Sequence, residues 1–208
     1  MDIYEAINTR RTIRDFSDRK IDMNTIEKII DAGLKAPTND HMRNWEFVVI
    51  VDRNKRAEIL KIIPKTFSKS EVDEWLDSWG AADVIQRKMY LDGVPKQYAM
   101  LFNSGCLILP FFRLHGSLLE PESLSSLNGF ASIWCCIENI LLAAAAEGIF
   151  GVTRIPMGDE SSHIKNVLRS PEDYVMPCYI ALGYPKKDAV IALQKEVSVK
   201  DKIHIDKW

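Results

Sequence analysis

The chain has 208 residues, of which 47% are hydrophobic, and this suits one compact domain with a sizeable core. Its formal net charge is -2, from 27 basic and 29 acidic residues, so it lacks the strong basic excess typical of nucleic-acid-binding proteins. Four cysteines without a C-x-x-C pair favour reduced thiols, and the first residues, MDIYEAINTRR, do not form a signal-peptide pattern, so we expect a cytoplasmic protein.

The first hundred residues begin with helix and strand patterns in alternation. Asp2 is a candidate N-cap for a helix over 2–9, and apolar side chains spaced by three and four residues predict an amphipathic helix over 23–36. The β-branched run EFVVIV predicts a strand over 46–51, and a helix follows over 54–63. Residues 64–100 show a less regular pattern.

The remaining residues predict three more strands and two more helices. The strands are expected at 106–112, 149–155 and 176–185, and a short helix at 160–168. The stretch 129–148 is largely apolar, but Glu138, Asn139 and Glu147 interrupt it, so we interpret it as a buried helix and expect no membrane span. Strands that alternate with helices predict an α/β or α+β sheet protein, with residues 1–208 in a single domain.

The segment RRTIRDF, residues 10–16, concentrates positive charge in a slightly acidic chain. If it is extended, Arg10, Thr12 and Arg14 point the same way, and two guanidiniums with a hydroxyl can bind a phosphate. The alternative is solvated surface charge, partly paired with nearby acidic residues such as Asp15.

Four segments in this order resemble the flavin-dependent nitroreductase family. RRTIRDF resembles its R-R-S-x-R-x-F segment, and APTNDHMRNWEFVVI resembles its A-P-S-x-x-N-x-Q-P-W-x-F-v-v segment. CIENILLAAAAEGIFGV and YIALGYPKK are similar to the family's long helix with its following strand and to its closing strand. The resemblance implies an α+β fold with a central mixed or antiparallel sheet flanked by helices, in an intertwined homodimer with FMN at the subunit interface.

The resemblance also implies which residues hold FMN. Those from the first subunit would bind the phosphate and ribityl chain or face the flavin ring: Arg10, Arg11, Thr12 and Arg14, with Arg14 at the N1/O2 edge. Those from the second subunit would line the ring: Pro37, Thr38, Asn39 and His41. Residues near flavin N5 and O4 would be Arg154, Ile155 and Pro156, and the basic residues that complete the phosphate site would be Lys195 or its rivals Lys186 and Lys187. No metal site is expected, because the four histidines show no ligand spacing.

The segment APTNDHMRNWEFVVI departs from the family pattern at three positions. His41, Arg43 and Asn44 stand where the family has Asn, Gln and Pro. An imidazole, unlike an amide, can titrate near neutral pH. Arg43 adds a charge near the site or at the subunit interface.

Two functional hypotheses share this FMN pocket. The first is an oxidoreductase that passes hydride from NADH or NADPH through flavin N5 to an electron-poor acceptor such as a nitroaromatic, a quinone or an activated alkene. The second is a non-catalytic flavin carrier, sensor or regulator. No dinucleotide-binding glycine motif is present, so nicotinamide would bind only transiently. The aromatic residues of 64–100 form either a lid over the flavin or a subsidiary core.

Overall fold

The fold is described from a computed structural model that covers residues 1–208. Five strands form one sheet: β1 (Trp45–Ile50), β2 (Cys106–Arg113), β3 (Phe150–Arg154), β4 (Tyr174–Val175) and β5 (Tyr179–Gly183). Eight α-helices accompany it: α1 (Ile3–Thr9), α2 (Met23–Leu34), α3 (Arg53–Ile59), α4 (Lys69–Ser78), α5 (Val84–Gly93), α6 (Gln97–Phe102), α7 (Asn128–Ala146) and α8 (Glu160–Leu168). Two short 3-10 helices lie at Leu124–Leu127 and Val199–Lys202.

The sheet has two buried faces. Its strand order is β1-β2-β5-β3, with every neighbouring pair antiparallel, and β4 pairs with the end of β2. Successive side chains of a strand point to opposite faces. On β2, Ile108 therefore packs into the core beneath α2 and α7, whereas Leu107 and Leu109 pack into the core beneath α3 and α6. The expected α+β fold with an antiparallel sheet is confirmed.

Local sequence signals explain the helix ends. Asp2 accepts a hydrogen bond from the Glu5 N–H, and the Glu5 carboxylate accepts one from the Asp2 N–H, each at 2.9 Å, which forms a capping box for α1. Asp22 caps α2 by accepting a hydrogen bond from the Thr25 N–H at 2.9 Å. Gly148, with φ of 70°, follows the end of α7 in the left-handed region that favours glycine.

The segment 64–100 is more regular than its sequence suggested, since it contains α4, α5 and the start of α6. Trp75 of α4 stacks on Trp79 with ring centroids 5.2 Å apart, and both rings meet Tyr90 of α5 edge to face. The two tryptophan side chains stay 44% and 52% exposed. These aromatic residues thus form a surface cluster that holds α4 against α5. The amphipathic pattern of the two helices is weak, so the sequence did not predict them.

Within one chain the long helix α7 is buried on its inner side and exposed on its outer side, and burial of the outer side in a dimer stays a prediction. Its inner face packs closely on α2, where a side chain at Gly33 would approach Ile140 Cγ1 within 2.6 Å. An outer stripe remains exposed and mostly apolar, with Ala131, Cys135 and Ala146 along it. By length and hydropathy the stretch Leu124–Ala146 could also cross a membrane, a property shared by core helices of soluble proteins.

Candidate functional site

The segment RRTIRDF runs extended along the edge strand β3. Thr12 forms a parallel bridge with Gly151, and the Ile13 N–H donates to the Gly151 carbonyl oxygen at 3.2 Å. Ile13 and Phe16 are buried and anchor the segment from below. The segment makes two isolated bridges, Thr12 with Gly151 and Phe16 with Pro185, and is therefore not a regular strand with strict alternation.

Arg10 and Arg11 lie half-buried on this segment. The Arg10 Nε stands 3.5 Å from a Glu138 carboxylate oxygen on α7. Arg11 makes no ion pair; its Nη1 donates to the Arg10 carbonyl oxygen at 2.7 Å. A guanidinium without a carboxylate partner keeps several N–H donors for an anion.

Arg14 contacts a different helix from Arg10, so the two guanidiniums do not share the single contact surface that alternation predicted. The Arg14 side chain is only 10% exposed, and it lies against α5 at Met89, Asp92 and Gly93. A side chain at Gly93 would approach the Arg14 Nε within 2.9 Å, so the guanidinium lies close against the backbone of α5. Burial lowers the pKa of Arg14, and the charges of Asp92 and Asp15 offset part of that shift. The guanidinium remains cationic.

A second cation beside Arg14 was missed by the sequence analysis. Lys96, just before α6, pairs with Asp15 and with Asp92, each at 2.6 Å. Burial lowers the pKa of Lys96, but the hydrogen bonds and charges of Asp15 and Asp92 outweigh it, and the net shift is upward. Arg14, Lys96 and the two aspartates therefore form one partly buried, charge-balanced cluster. No spacing signal joins positions this far apart in sequence.

The loop that the family resemblance assigns to the second subunit lies between α2 and β1. Pro37, Asn39 and His41 are exposed, and Thr38 is half-buried with its hydroxyl 3.4 Å from Asp40 Oδ1. His41 and Arg43 have positive φ values of 59° and 48°. Such backbone conformations are uncommon outside glycine.

The side chain of Arg43 is engaged with the backbone of this loop. Its Nε donates to the Leu34 carbonyl oxygen at the end of α2 at 2.9 Å, and its Nη1 donates to the His41 carbonyl oxygen at 3.3 Å. A cation at this end of a helix satisfies an orphan carbonyl. These two hydrogen bonds link the loop to the end of α2.

The loop and the arginine segment lie at opposite edges of the sheet. The loop leads into β1, while RRTIRDF borders β3, and two strands separate them. Three interstrand spacings of roughly 4.8 Å place the two edges about 14 Å apart. One chain therefore does not bring Arg10 and His41 to a common pocket.

The end of β3 carries a buried polar network. Arg154 is 8% exposed, and its two terminal nitrogens donate to the two Glu160 carboxylate oxygens at 2.5 and 2.7 Å. Its Nε donates to Gln97 Oε1 at 2.8 Å, and the Tyr179 hydroxyl donates to Glu160 at 2.9 Å. The Arg154 side chain is thus committed to protein partners. The exposed Ile155 and the half-buried Pro156 follow it.

This network keeps the phenol of Tyr179 protonated. Burial raises the pKa of Tyr179, and the negative charge and hydrogen bond of Glu160 raise it further, so the phenol stays protonated. Glu160 was placed in a helix by its sequence, but its pairing with Arg154 was not foreseen.

A cavity of about 520 Å³ opens above this network. Apolar side chains form its walls, among them Ile62, Phe67, Trp75 and Val94. Its polar lining comes from Gln97, Arg154, Asp159 and Glu160. The volume and the apolar lining with a few convergent polar groups are typical of small-molecule sites. Val94 directly follows Gly93, so the cavity adjoins the contact between Arg14 and α5.

The three candidate lysines lie in two places. Lys186 and Lys187 follow β5 and are exposed, and the Lys186 N–H donates to the Asp15 carbonyl oxygen at 3.0 Å. Lys195 instead pairs with Asp83, the N-cap of α5, at 3.1 Å. Within one chain the backbone of Lys186 therefore contacts the arginine segment, and the side chain of Lys195 contacts the start of α5.

The chain is similar in sequence to two kinds of known protein. It is 24% identical to an iodotyrosine deiodinase of Nematostella vectensis over 196 residues, which cover 91% of this chain and 69% of that protein. It is 28% identical over 212 residues to a Methanothermobacter thermautotrophicus protein that is named, provisionally, as an NADH dehydrogenase/NAD(P)H nitroreductase. That alignment covers 100% of this chain and 88% of the relative.

Solved structures share the whole fold. A BluB-like flavoprotein from Clostridium difficile 630 superposes with a TM-score of 0.73 at 20% identity, and both chains are covered completely. The NADPH:FMN oxidoreductase from Vibrio harveyi, complexed with NAD+, superposes with a TM-score of 0.70 at 17% identity over 99% of this chain and 77% of that one. The model of the Nitroreductase family matches residues 7–184. The chain therefore belongs to the nitroreductase family and has its α+β fold.

Proposed function

We propose that this protein is an FMN-dependent NAD(P)H oxidoreductase that acts as a homodimer. When bound, FMN would supply the redox chemistry for transfer of hydride from NADH or NADPH to an electron-poor acceptor such as a nitroaromatic, a quinone or an activated alkene. The observation that carries the proposal is the fixed, extended RRTIRDF segment, where Arg11 has no carboxylate partner and the side chain of Arg14 is only 10% exposed.

The chain's residues fit the parts of this cofactor. Arg10, Arg11 and Thr12 lie together on one short segment and offer guanidinium and hydroxyl donors to a phosphate. Arg14 is a permanent cation in a largely desolvated position, so it would stabilise negative charge that develops on a neighbouring group. Lys186 is the basic residue best placed to add to the phosphate contacts, because its backbone is bonded to Asp15.

A second copy of the chain would complete the site. The loop with Thr38, Asn39 and His41 lies at the far sheet edge, so it can reach the arginines only from another subunit. Arg10 contacts Glu138 on the outer stripe of α7, which connects the arginine segment to the exposed apolar face of that helix. An apolar face of this kind suits burial against its own copy.

The cavity beside Arg154 would hold the acceptor. Arg154 and Glu160 neutralise each other there, and the remaining charge on the lining is Asp159. No unpaired cation is available for a substrate carboxylate. Trp75 and Phe67 offer aromatic faces to a planar ring. We therefore expect neutral aromatic acceptors to be preferred over amino acids such as iodotyrosine.

Anaerobic reduction of the purified protein tests the catalytic proposal. The protein should be yellow, release FMN on denaturation, and bleach when NADH or NADPH is added. A yellow protein that neither nicotinamide bleaches would support a non-catalytic flavin carrier, sensor or regulator. A colourless protein that fails to bind added FMN would refute the cofactor assignment.

The acceptor site has its own matched pair of variants. Trp75→Ala should raise the KM for a nitroaromatic or quinone and leave the rate of flavin reduction by NAD(P)H unchanged. Trp79→Ala is the control, because Trp79 stacks on Trp75 but does not line the cavity. Equal changes in KM for both variants would contradict the assignment of this cavity to the acceptor.

A further inference from the structure

A second cleft, away from the arginine segment, is surrounded by positive charge. It has a volume of about 400 Å³ and lies between residues 17–21, the start of α3 and the turn from α6 to β2. Four of its lining residues are basic: Arg19, Lys20, Arg53 and Arg56. Asp18 is the one acidic residue on the lining, so the cleft carries three net positive charges, four less one.

None of these charges is neutralised within the chain. Arg10, Arg14, Arg87, Arg113 and Arg154 all have carboxylate partners, whereas none of the four basic residues of the cleft, nor Asp18, takes part in an ion pair. Two of the cations are instead held on aromatic rings. The Arg19 guanidinium carbon lies 3.6 Å from the Tyr184 ring centroid, and that of Arg53 lies 4.8 Å from the Phe102 centroid. Stacking of this kind fixes a guanidinium while leaving its N–H edge free for an anion.

Arg56 places a buried cation at the base of the cleft. It is only 5% exposed, and its terminal nitrogens donate to the carbonyl oxygens of Ile50, Phe102 and Ser104 at 2.7 to 3.0 Å. Its Nε has no hydrogen-bond partner in the protein. Carbonyl groups satisfy donors but do not cancel a full charge, and burial of an uncompensated charge is costly. An anion bound above Arg56 would supply the missing countercharge.

The cleft lies at the other end of the sheet from the acceptor cavity. It adjoins the end of β1 and the start of β2, where Cys106 faces Leu182. The acceptor cavity adjoins Arg154, which faces Tyr179. Leu182 lies three positions after Tyr179 along β5, and at about 3.3 Å per residue this corresponds to roughly 10 Å between the two ends.

We propose that this cleft binds the diphosphate group of a small organic molecule. Two linked phosphoryl groups provide multiple negative charges and acceptor oxygens for a cluster with three net positive charges. The volume exceeds the needs of an inorganic ion and leaves room for an organic part along Val51 and Phe102. Arg19 and Arg53 bind the phosphoryl oxygens, and Arg56 contributes a fixed positive charge from below.

Calorimetric titration of the FMN-saturated protein tests this site, with ADP, inorganic pyrophosphate and adenosine as probes. Excess FMN keeps the probes from the flavin site. We expect one ADP to bind per chain, saturably, with weaker affinity at higher salt, and adenosine not to bind. Binding of pyrophosphate without binding of ADP would overturn the proposal, because the cleft would then exclude organic molecules. Failure of both to bind saturably would also overturn it.

Substitutions on the rim locate the bound diphosphate. Arg19→Gln combined with Arg53→Gln should weaken ADP binding by about tenfold or more, since two charged hydrogen-bonding groups are lost. Lys61→Gln, which removes an exposed and unpaired cation outside the cleft, should leave the affinity unchanged. Unchanged affinity in the double variant, or a loss of ADP binding in Arg11→Gln instead, would refute the assignment. Neither result depends on whether the enzyme turns over NAD(P)H.

Discussion

The buried network at the end of β3 yields the sharpest prediction for stability. Arg154 and Glu160 form a bidentate ion pair with side chains only 8% and 6% exposed. Glu160→Gln removes the anion and leaves the guanidinium buried with neutral partners. We expect this to lower the free energy of unfolding by about 3–5 kcal/mol, the cost typical of an uncompensated buried charge. For a chain of this length, that corresponds to a fall in Tm of roughly 6–20 °C.

The matched control is a second carboxylate that pairs with the same helix. Glu172 lies 3.2 Å from Lys165 of α8, but its side chain is 96% exposed. Glu172→Gln should therefore cost less than about 1 kcal/mol. Urea unfolding followed by circular dichroism, on both variants and the parent protein, gives the comparison. Similar losses in the two variants would show that the Arg154–Glu160 pair is no more valuable than a surface pair.

Replacing both partners tests whether the loss of stability comes from the unpaired buried charge of Arg154. Arg154→Met combined with Glu160→Leu removes both charges together and should recover much of the stability lost in Glu160→Gln. If the double variant is less stable than Glu160→Gln, the buried charge of Arg154 is not the cause of the loss.

The tyrosine of the network adds a pH dependence with a definite sign. Burial, with help from the charge and hydrogen bond of Glu160, raises the pKa of Tyr179 above its unfolded value of about 10. A raised folded pKa favours the protonated native state. Its contribution is therefore fully present below about pH 10 and declines as the pH rises above that value. As the pH rises from about 10 to 11, the free energy of unfolding should fall less in Tyr179→Phe than in the parent protein.

Three further predictions concern the cofactor and the dimer. Arg10→Ala should weaken FMN binding by about 1.5–3 kcal/mol in a fluorescence titration, with Lys61→Ala as the unaffected control; equal affinities for both variants would favour plain surface charge. His41→Asn should retain FMN, because an amide at this position can still donate a hydrogen bond, and loss of FMN from this variant would show that the imidazole is required. Cys135, exposed on one chain, should resist alkylation in a dimer of twice the 23.7 kDa chain mass, whereas its rapid alkylation there would contradict an interface through α7.

The alkylation experiment has an internal reference. Burial raises the pKa of the Cys106 and Cys136 thiols to about 12, so both should be inert in the folded chain whatever its oligomeric state. Only the reactivity of Cys135 should change on dissociation.

The sequence by itself determined the fold class and most of the secondary structure. The helix expected over 160–168 is α8, and the strand expected over 106–112 is β2, because periodicity and capping are local properties that each segment carries. The motifs RRTIRDF and APTNDH also identified the family and drew attention to both edges of the sheet. The family model, which matches residues 7–184, confirms this part of the analysis.

Only the tertiary structure decided which charges meet. Arg14 lies against Gly93, and Lys96 pairs with Asp15 although 81 residues separate them, contacts that no local pattern encodes. The structure also shows which side of α7 is buried within the chain and which is left exposed, because apolar composition does not distinguish a core contact from an unpartnered surface. The four unpaired cations of the second cleft come from separate stretches of sequence, and only their convergence in space creates a site for an anion.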